Sequence, residues 1–146
     1  MQKFGLKETE KRIAQAIKLG VRQGSVMSRA FFIESFTNQG FTDKHLEKWQ
    51  PRKKETKRTI GKAILVSSGA LRRSILVKQL TNDSFTVVSD MGLGASQDYA
   101  PVHNYGLRAG RGRGFKMPKR QFMGESAVLI KKIMDKINSN IENAFK

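Results

Sequence analysis

Residues 3–36 contain no proline and repeat apolar side chains at helical spacing. Ile13, Ile17 and Val21 fall four apart, and Phe31, Phe32 and Phe36 continue an apolar side. The pattern predicts a long N-terminal helix. Gly20 and Gly24 weaken its middle, each by roughly 1 kcal/mol relative to alanine. The helix either bends there or lets another backbone approach closely. Asn38-Gln39-Gly40 supplies a C-terminal stop. Thr42 or Asp43 then stands where it would cap a short helical turn through Lys48. The clearest helical pattern lies at the other end of the chain, over 126–145. There Ile130, Ile133, Met134, Ile137, Ile141 and Phe145 form one stripe, while Lys131, Lys132, Asp135, Lys136 and Glu142 mostly lie off it. The core is the first expectation for most of both stripes.

Between these ends the periodicity changes. Over 50–62 it vanishes into a polar, basic excursion, and loops of that length in a compact domain are usually functional or disordered. Ile64-Leu65-Val66 reads as a strand or a buried segment, broken by Ser67-Ser68-Gly69. Ala70 to Ile75 predicts a turn of helix before a strand at about 75–80. Thr81-Asn82-Asp83 is a turn, and the β-rich run 84–89 pairs back as an antiparallel hairpin. A loop at 91–96 leads to a short helix over 97–105, with Pro101 in its first turn and Gly106 at its end. The stretch 108–114 is flexible by composition. A last strand is expected within 115–122, with Pro118 at an edge or a bend. The resulting fold class is α+β: a small antiparallel β-sheet with long loop or hairpin excursions, packed against N- and C-terminal helices.

Length fits one domain over 1–146, and the nine phenylalanines of this 146-residue chain carry much of its core. No apolar run is long enough to span a bilayer, and the first residues lack the apolar core of a secretory signal. With no cysteine, disulfides, thiolate metal sites and cysteine nucleophiles are excluded. A cytosolic product with no membrane partner is the simplest expectation. Charge changes the picture more. There are 28 Lys+Arg against 12 Asp+Glu, a formal net charge of +16, which points to a polyanionic partner. Arg52, Lys53, Lys54, Lys57, Arg58 and Lys62 crowd into 50–62 with Glu55 as the single acid, and Arg108, Arg111, Arg113, Lys116, Lys119 and Arg120 crowd into 107–120 with none. Both segments read as loops, so the charge is focused there and not spread along helix faces. Both are expected to order only on assembly.

Catalytic chemistry finds little support. His45 and His103 are too few for a metal site without cysteines or converging acids. Tyr99 and His103 share a face of the short helix at i, i+4, with Asp98 nearby, and a structural histidine is the simpler reading. No serine sits in a nucleophile-elbow pattern. Gly92-Leu93-Gly94 lacks the Lys-Ser/Thr that a phosphate loop requires. The run 108–114 resembles short arginine-glycine tracts that bind nucleic acid, or else forms a solvated hairpin tip. Trp49 suits base stacking or, more simply, a core. No cofactor is expected.

Four signatures occur in fixed order. They are Trp49 with Pro51-Arg52; Ile64-Leu65-Val66 followed by Gly69-Ala70-Leu71-Arg72-Arg73-Ser74-Ile75; Tyr99-Ala100 with His103 and Gly106; and Pro118-Lys119-Arg120-Gln121-Phe122-Met123-Gly124. Together they resemble the phage virion morphogenesis (tail completion) family over roughly residues 10–140. The basic, glycine-rich stretch at 107–116 departs from that pattern in length and charge. The resemblance implies a non-enzymatic structural protein that completes or terminates the tail and joins it to the head as an oligomeric ring, often hexameric. Its implied partners are other copies of itself and tail-tube and head or connector proteins, with DNA nearby. Its implied place is the virion neck, after assembly in the bacterial host cytoplasm. On this reading Arg52, Lys53, Lys54, Arg108, Arg111, Arg113, Lys119 and Arg120 make partner or subunit contacts. Trp49, Gly69, Leu71, Tyr99, His103, Gly106, Pro118 and Phe122 fix the fold. A lumen gripping DNA would hinder its passage, so most of the charge is expected to face protein. A nucleic-acid-binding module built on the two basic loops is the alternative.

Overall fold

The computed structural model describes residues 5–91 and 99–146. In chain order these form α1 (Leu6–Asn38), β1 (Gly40–Thr42), β2 (Leu46–Lys48), α2 (Ala70–Arg73), β3 (Ile75–Lys78), β4 (Thr86–Ser89), α3 (Tyr99–Tyr105), β5 (Arg108–Ala109), β6 (Phe115–Lys116) and α4 (Ala127–Ala144). The α+β expectation holds. The antiparallel pairing is divided among three two-stranded ladders, β1–β2, β3–β4 and β5–β6. The expected loop beyond Met91, including Gly92-Leu93-Gly94, lies outside the described residues, as do Gln97 and Asp98 of the expected short helix.

α1 runs for 33 residues without a break at its glycines. Gly20 and Gly24 mark instead where α4 crosses in the opposite direction. A Cβ on Gly20 would stand 2.6 Å from Ile137 Cγ1, and one on Gly24 would stand 3.1 Å from Ile133 Cγ2. The packed face of α1 is therefore a row of small residues, Ala16, Gly20, Gly24 and Ser28, each four apart and all buried. Ser25 and Ser28 satisfy their buried hydroxyls within the helix, donating to the carbonyls of Arg22 and Gly24. Ile17, one of the larger residues expected to face the core, is exposed. The single stripe read on α4 likewise divides in two. Leu129 is buried and Ile133 and Ile137 meet α1, whereas Ile130, Met134 and Phe145 stand exposed on another side.

α1 ends as its sequence suggests, with Gln39 at φ 51° in the left-handed conformation. The next segment differs from the expected helical turn, because Gly40 to Lys48 forms the β1–β2 hairpin, with Gly40 opposite Lys48. Asp43 does cap a helix, but a distant one. Its carboxylate accepts from the Ala127 amide at 2.8 Å, beside the N-cap Ser126, whose hydroxyl accepts from Leu129. Ile64-Leu65-Val66 is a buried turn and no strand, with Leu65 at φ 59°. α2 and the β3–β4 hairpin form as expected. β3 is fastened to α1 through the Arg29 guanidinium, which donates to the Ile75 carbonyl at 2.9 Å. Residues 108–114, expected to be flexible, close with Phe115 and Lys116 into the β5–β6 hairpin, and no further strand forms between Lys116 and α4. The core gathers Phe32, Phe36, Phe41, Leu71, Ile75, Ala100 and Leu129 from the four helices and from β1 and β3, and Trp49, Leu65 and Phe122 from the segments between elements.

Candidate functional site

The extended segment 119–123 is the seam on which the sequence signatures meet. Trp49 packs edge-on to Phe36 and donates its indole N–H to the Gln121 carbonyl at 2.6 Å. Arg120 reaches the other way, its Nε and Nη2 donating to the Gln50 carbonyl at 3.2 and 3.1 Å. The Arg120 amide donates to the His103 carbonyl at 2.8 Å. At the next residue of α3, the Asn104 carboxamide accepts from the amides of Phe122 and Met123 at 2.9 and 3.1 Å and donates to the Met123 carbonyl at 3.1 Å. Ser35 of α1 donates to the Phe122 carbonyl at 3.3 Å. Gly106, at φ 69°, lets Lys119 pass, since a Cβ there would lie 2.8 Å from the Lys119 nitrogen. Gly69 opens α2 at φ 73°, and Leu71 and Phe122 sink into the core. Pro118 follows β6 in a stretch outside any ladder, where its missing N–H is not needed.

These ties bring the two basic segments side by side. Gln50, Arg52, Lys53 and Lys54 form one wall of an open groove of about 630 Å³, and Phe115, Lys116, Met117, Pro118 and Arg120 form the other. Five of these nine residues are cationic and none is acidic. A second cavity of about 440 Å³ adjoins it, lined by Tyr99, Val102, His103, Arg108, Ala109, Gly110, Phe115 and Met117. Phe115, 60 % exposed, is the ridge between the two.

Several expected contact residues turn out to hold the site's shape. Arg52 donates to the carbonyls of Lys62 at 2.6 Å and Ala63 at 2.8 Å, closing the basic excursion into an ordered loop. Arg108 donates to the Arg113 carbonyl and closes the β5–β6 hairpin. Arg120 is only 6 % exposed. Its guanidinium is held below the usual arginine range, first by burial and then by the nearby Arg52 charge. The ion pairs Lys78–Asp90 and Lys131–Asp135 lie elsewhere. Lys53, Lys54, Lys116, Lys119, Arg111 and Arg113 carry their charge outward. Asn104, Gln50 and Ser35 carry the architecture without having stood out in the sequence, because each of their ties has a backbone group at one end and not a complementary side chain.

His103 is buried beside the Tyr99 ring, with centroids 4.6 Å apart, and its Nδ1 has no hydrogen-bond partner among the described residues. Burial first, and the Arg120 charge second, push its pKa below the ordinary histidine value. An unfolded histidine titrates near about 6.5, so on acidification the unfolded chain takes the proton first. The stability that neutral His103 contributes is present above that pH and is lost as pH falls through the lower folded-state value. Urea midpoints measured from about pH 7 down to pH 5 should therefore fall. The fall should be smaller in His103→Gln; an equal fall in both proteins would assign it to other groups.

No cluster of His, Asp or Glu suited to a metal ion occurs among the described residues. No helix among them is long and apolar enough to cross a membrane. The model of the phage virion morphogenesis family matches residues 33–142. No curated protein and no solved structure matches the chain. The matched span runs from the C-terminal part of α1 into α4 and includes all four ordered signatures. The chain belongs to the phage virion morphogenesis family, which makes it a virion-associated structural or assembly protein.

Proposed function

We propose that this member of the family is a non-enzymatic subunit of an oligomeric ring that completes the tail and joins it to the head. The observation that carries the ring is the second, open apolar side of α4. Ile130 and Met134, one turn apart, are exposed while their neighbours Leu129 and Ile133 pack inward. A ring needs two different surfaces on each subunit, one to give and one to receive. The open side of α4 supplies an apolar patch of the kind that marks protein contacts. A second copy of this chain is its occupant. Arg111 and Arg113, at the tip of the β5–β6 hairpin, and Lys119 then reach towards the neighbouring subunit or the tail and head proteins.

Light scattering after gel filtration tests this reading. The wild-type protein should pass to a discrete oligomer as concentration rises or when tail-tube protein is added, and Ile130→Glu/Met134→Glu should remain a monomer with unchanged helix content. A wild-type chain that stays monomeric under both conditions and never enters tails or virions would sink the proposal.

A further inference from the structure

We infer that the groove between the loop 50–54 and the segment 115–120 is a binding site for a single strand of nucleic acid, with phosphates on its cations and a base stacked on Phe115. The inference does not rest on the ring. It starts from charge. Arg52, Lys53, Lys54, Lys116 and Arg120 line one groove without an acid. The chain's 12 acids are spread along the sequence from Glu8 to Glu142, without an acidic run that a second copy could lay in the groove. The groove's complement is therefore a different, polyanionic molecule.

The rings decide which polyanion. An acidic peptide needs only the cations, whereas single-strand sites alternate cations with exposed aromatic faces. Phe115 stands between the cationic groove and the adjoining cavity, and that cavity holds Arg108 and the half-exposed Tyr99 ring. A strand crossing from one to the other meets cations, a ring, and then a second cation and ring. Arg120 adds a preorganised donor. Its Nε and Nη2 are occupied by Gln50, and among the described residues Nη1 makes no hydrogen bond, leaving it for a phosphate oxygen in the groove. An anion there also offsets the crowding of Arg52 and Arg120. The exposed ring favours a single strand, because a base paired within a duplex has no free face to stack on Phe115.

Fluorescence anisotropy with a labelled oligonucleotide of about 15 nucleotides is the test, a length within the site sizes of single-strand binding folds. The wild-type protein should bind the single strand more tightly than the same sequence as a duplex, or than polyglutamate. Log affinity should fall with log salt by about 0.7 per phosphate contacted. Phe115→Ala should weaken binding about 5- to 150-fold, the range for loss of one stacking ring. Lys53→Gln/Lys54→Gln/Lys116→Gln should also weaken it at least tenfold and flatten the salt slope. Lys11→Gln/Lys18→Gln/Lys136→Gln, which removes the same charge from exposed helix positions, should keep affinity within about twofold, because those cations lie outside the strand's contacts. All four substituted groove and ridge positions, Lys53, Lys54, Phe115 and Lys116, are exposed, and circular dichroism checks the folding of each variant. Polyglutamate or duplex binding as tight as the single strand, equal losses in the two triple variants, or no effect of Phe115→Ala would each overturn the site.

Discussion

Phe122→Ala is expected to cost about 3–5 kcal/mol of folding stability, the range for deleting a buried phenylalanine ring. Phe122 is 1 % exposed, and its ring lies 5.3 Å from that of Phe36, which in turn meets Trp49. Removing it opens a void where α1, the 119–123 seam and the start of α4 meet, and these rigid elements have little freedom to collapse into it. Small domains have only about 5–15 kcal/mol of stability in total, so the variant should be marginal at room temperature. Trp49 is the sole tryptophan and sits in the same cluster, so its fluorescence reports urea unfolding directly. A loss under about 1 kcal/mol would mean that the core repacks easily around this position.

Asn104→Ala should be nearly as damaging, for a different reason. Its side chain is the hydrogen-bond partner of the Phe122 and Met123 amides and of the Met123 carbonyl. Alanine leaves these groups without that partner in a mostly buried setting, and each unsatisfied buried group costs about 1–3 kcal/mol. A total near 3–4 kcal/mol is expected, since local shifts and water recover part of the sum. Hydrogen exchange separates this effect from a general loss of packing. The amides of Phe122 and Met123 should lose protection first in Asn104→Ala, while those of α1 should follow global stability. Uniform loss along the chain would refute a local clamp.

Much of the fold could be read from periodicity and turn residues. Helices long enough to repeat their pattern, α1 and α4, were legible, and so was the β3–β4 hairpin, whose turn and β-rich run are local signals. The glycines of α1 were ambiguous because one residue serves both to loosen a helix and to admit a neighbour; only the position of Ile133 and Ile137 decides between them. Asp43 misled because a capping residue looks the same whether its helix follows at once or lies 84 residues away. Three-residue strands such as β1 and β2 are too short to show alternation. At the candidate site, the two basic runs were plain in the sequence. Their convergence on one groove was not, since it depends on Arg120 reaching a carbonyl 70 residues away. The single stripe of α4 likewise hid two faces, because the rotation of about 100° between the adjacent Leu129 and Ile130 places them on opposite sides of a packing boundary.

The polar ties that shape the site share one property. Trp49, Arg52 and Arg120 each end on a main-chain carbonyl, and Asn104 ends on main-chain amides and a carbonyl. Every amino acid carries that carbonyl, so each tie has only one end that mutation can delete. Gln121, Gln50, Lys62 and Ala63 can change identity without releasing the frame, and no carboxylate in these ties has to stay ionised. The scaffold is thereby uncoupled from the side chains it displays, and the rim of the groove can follow a changing partner while the frame beneath it stays the same.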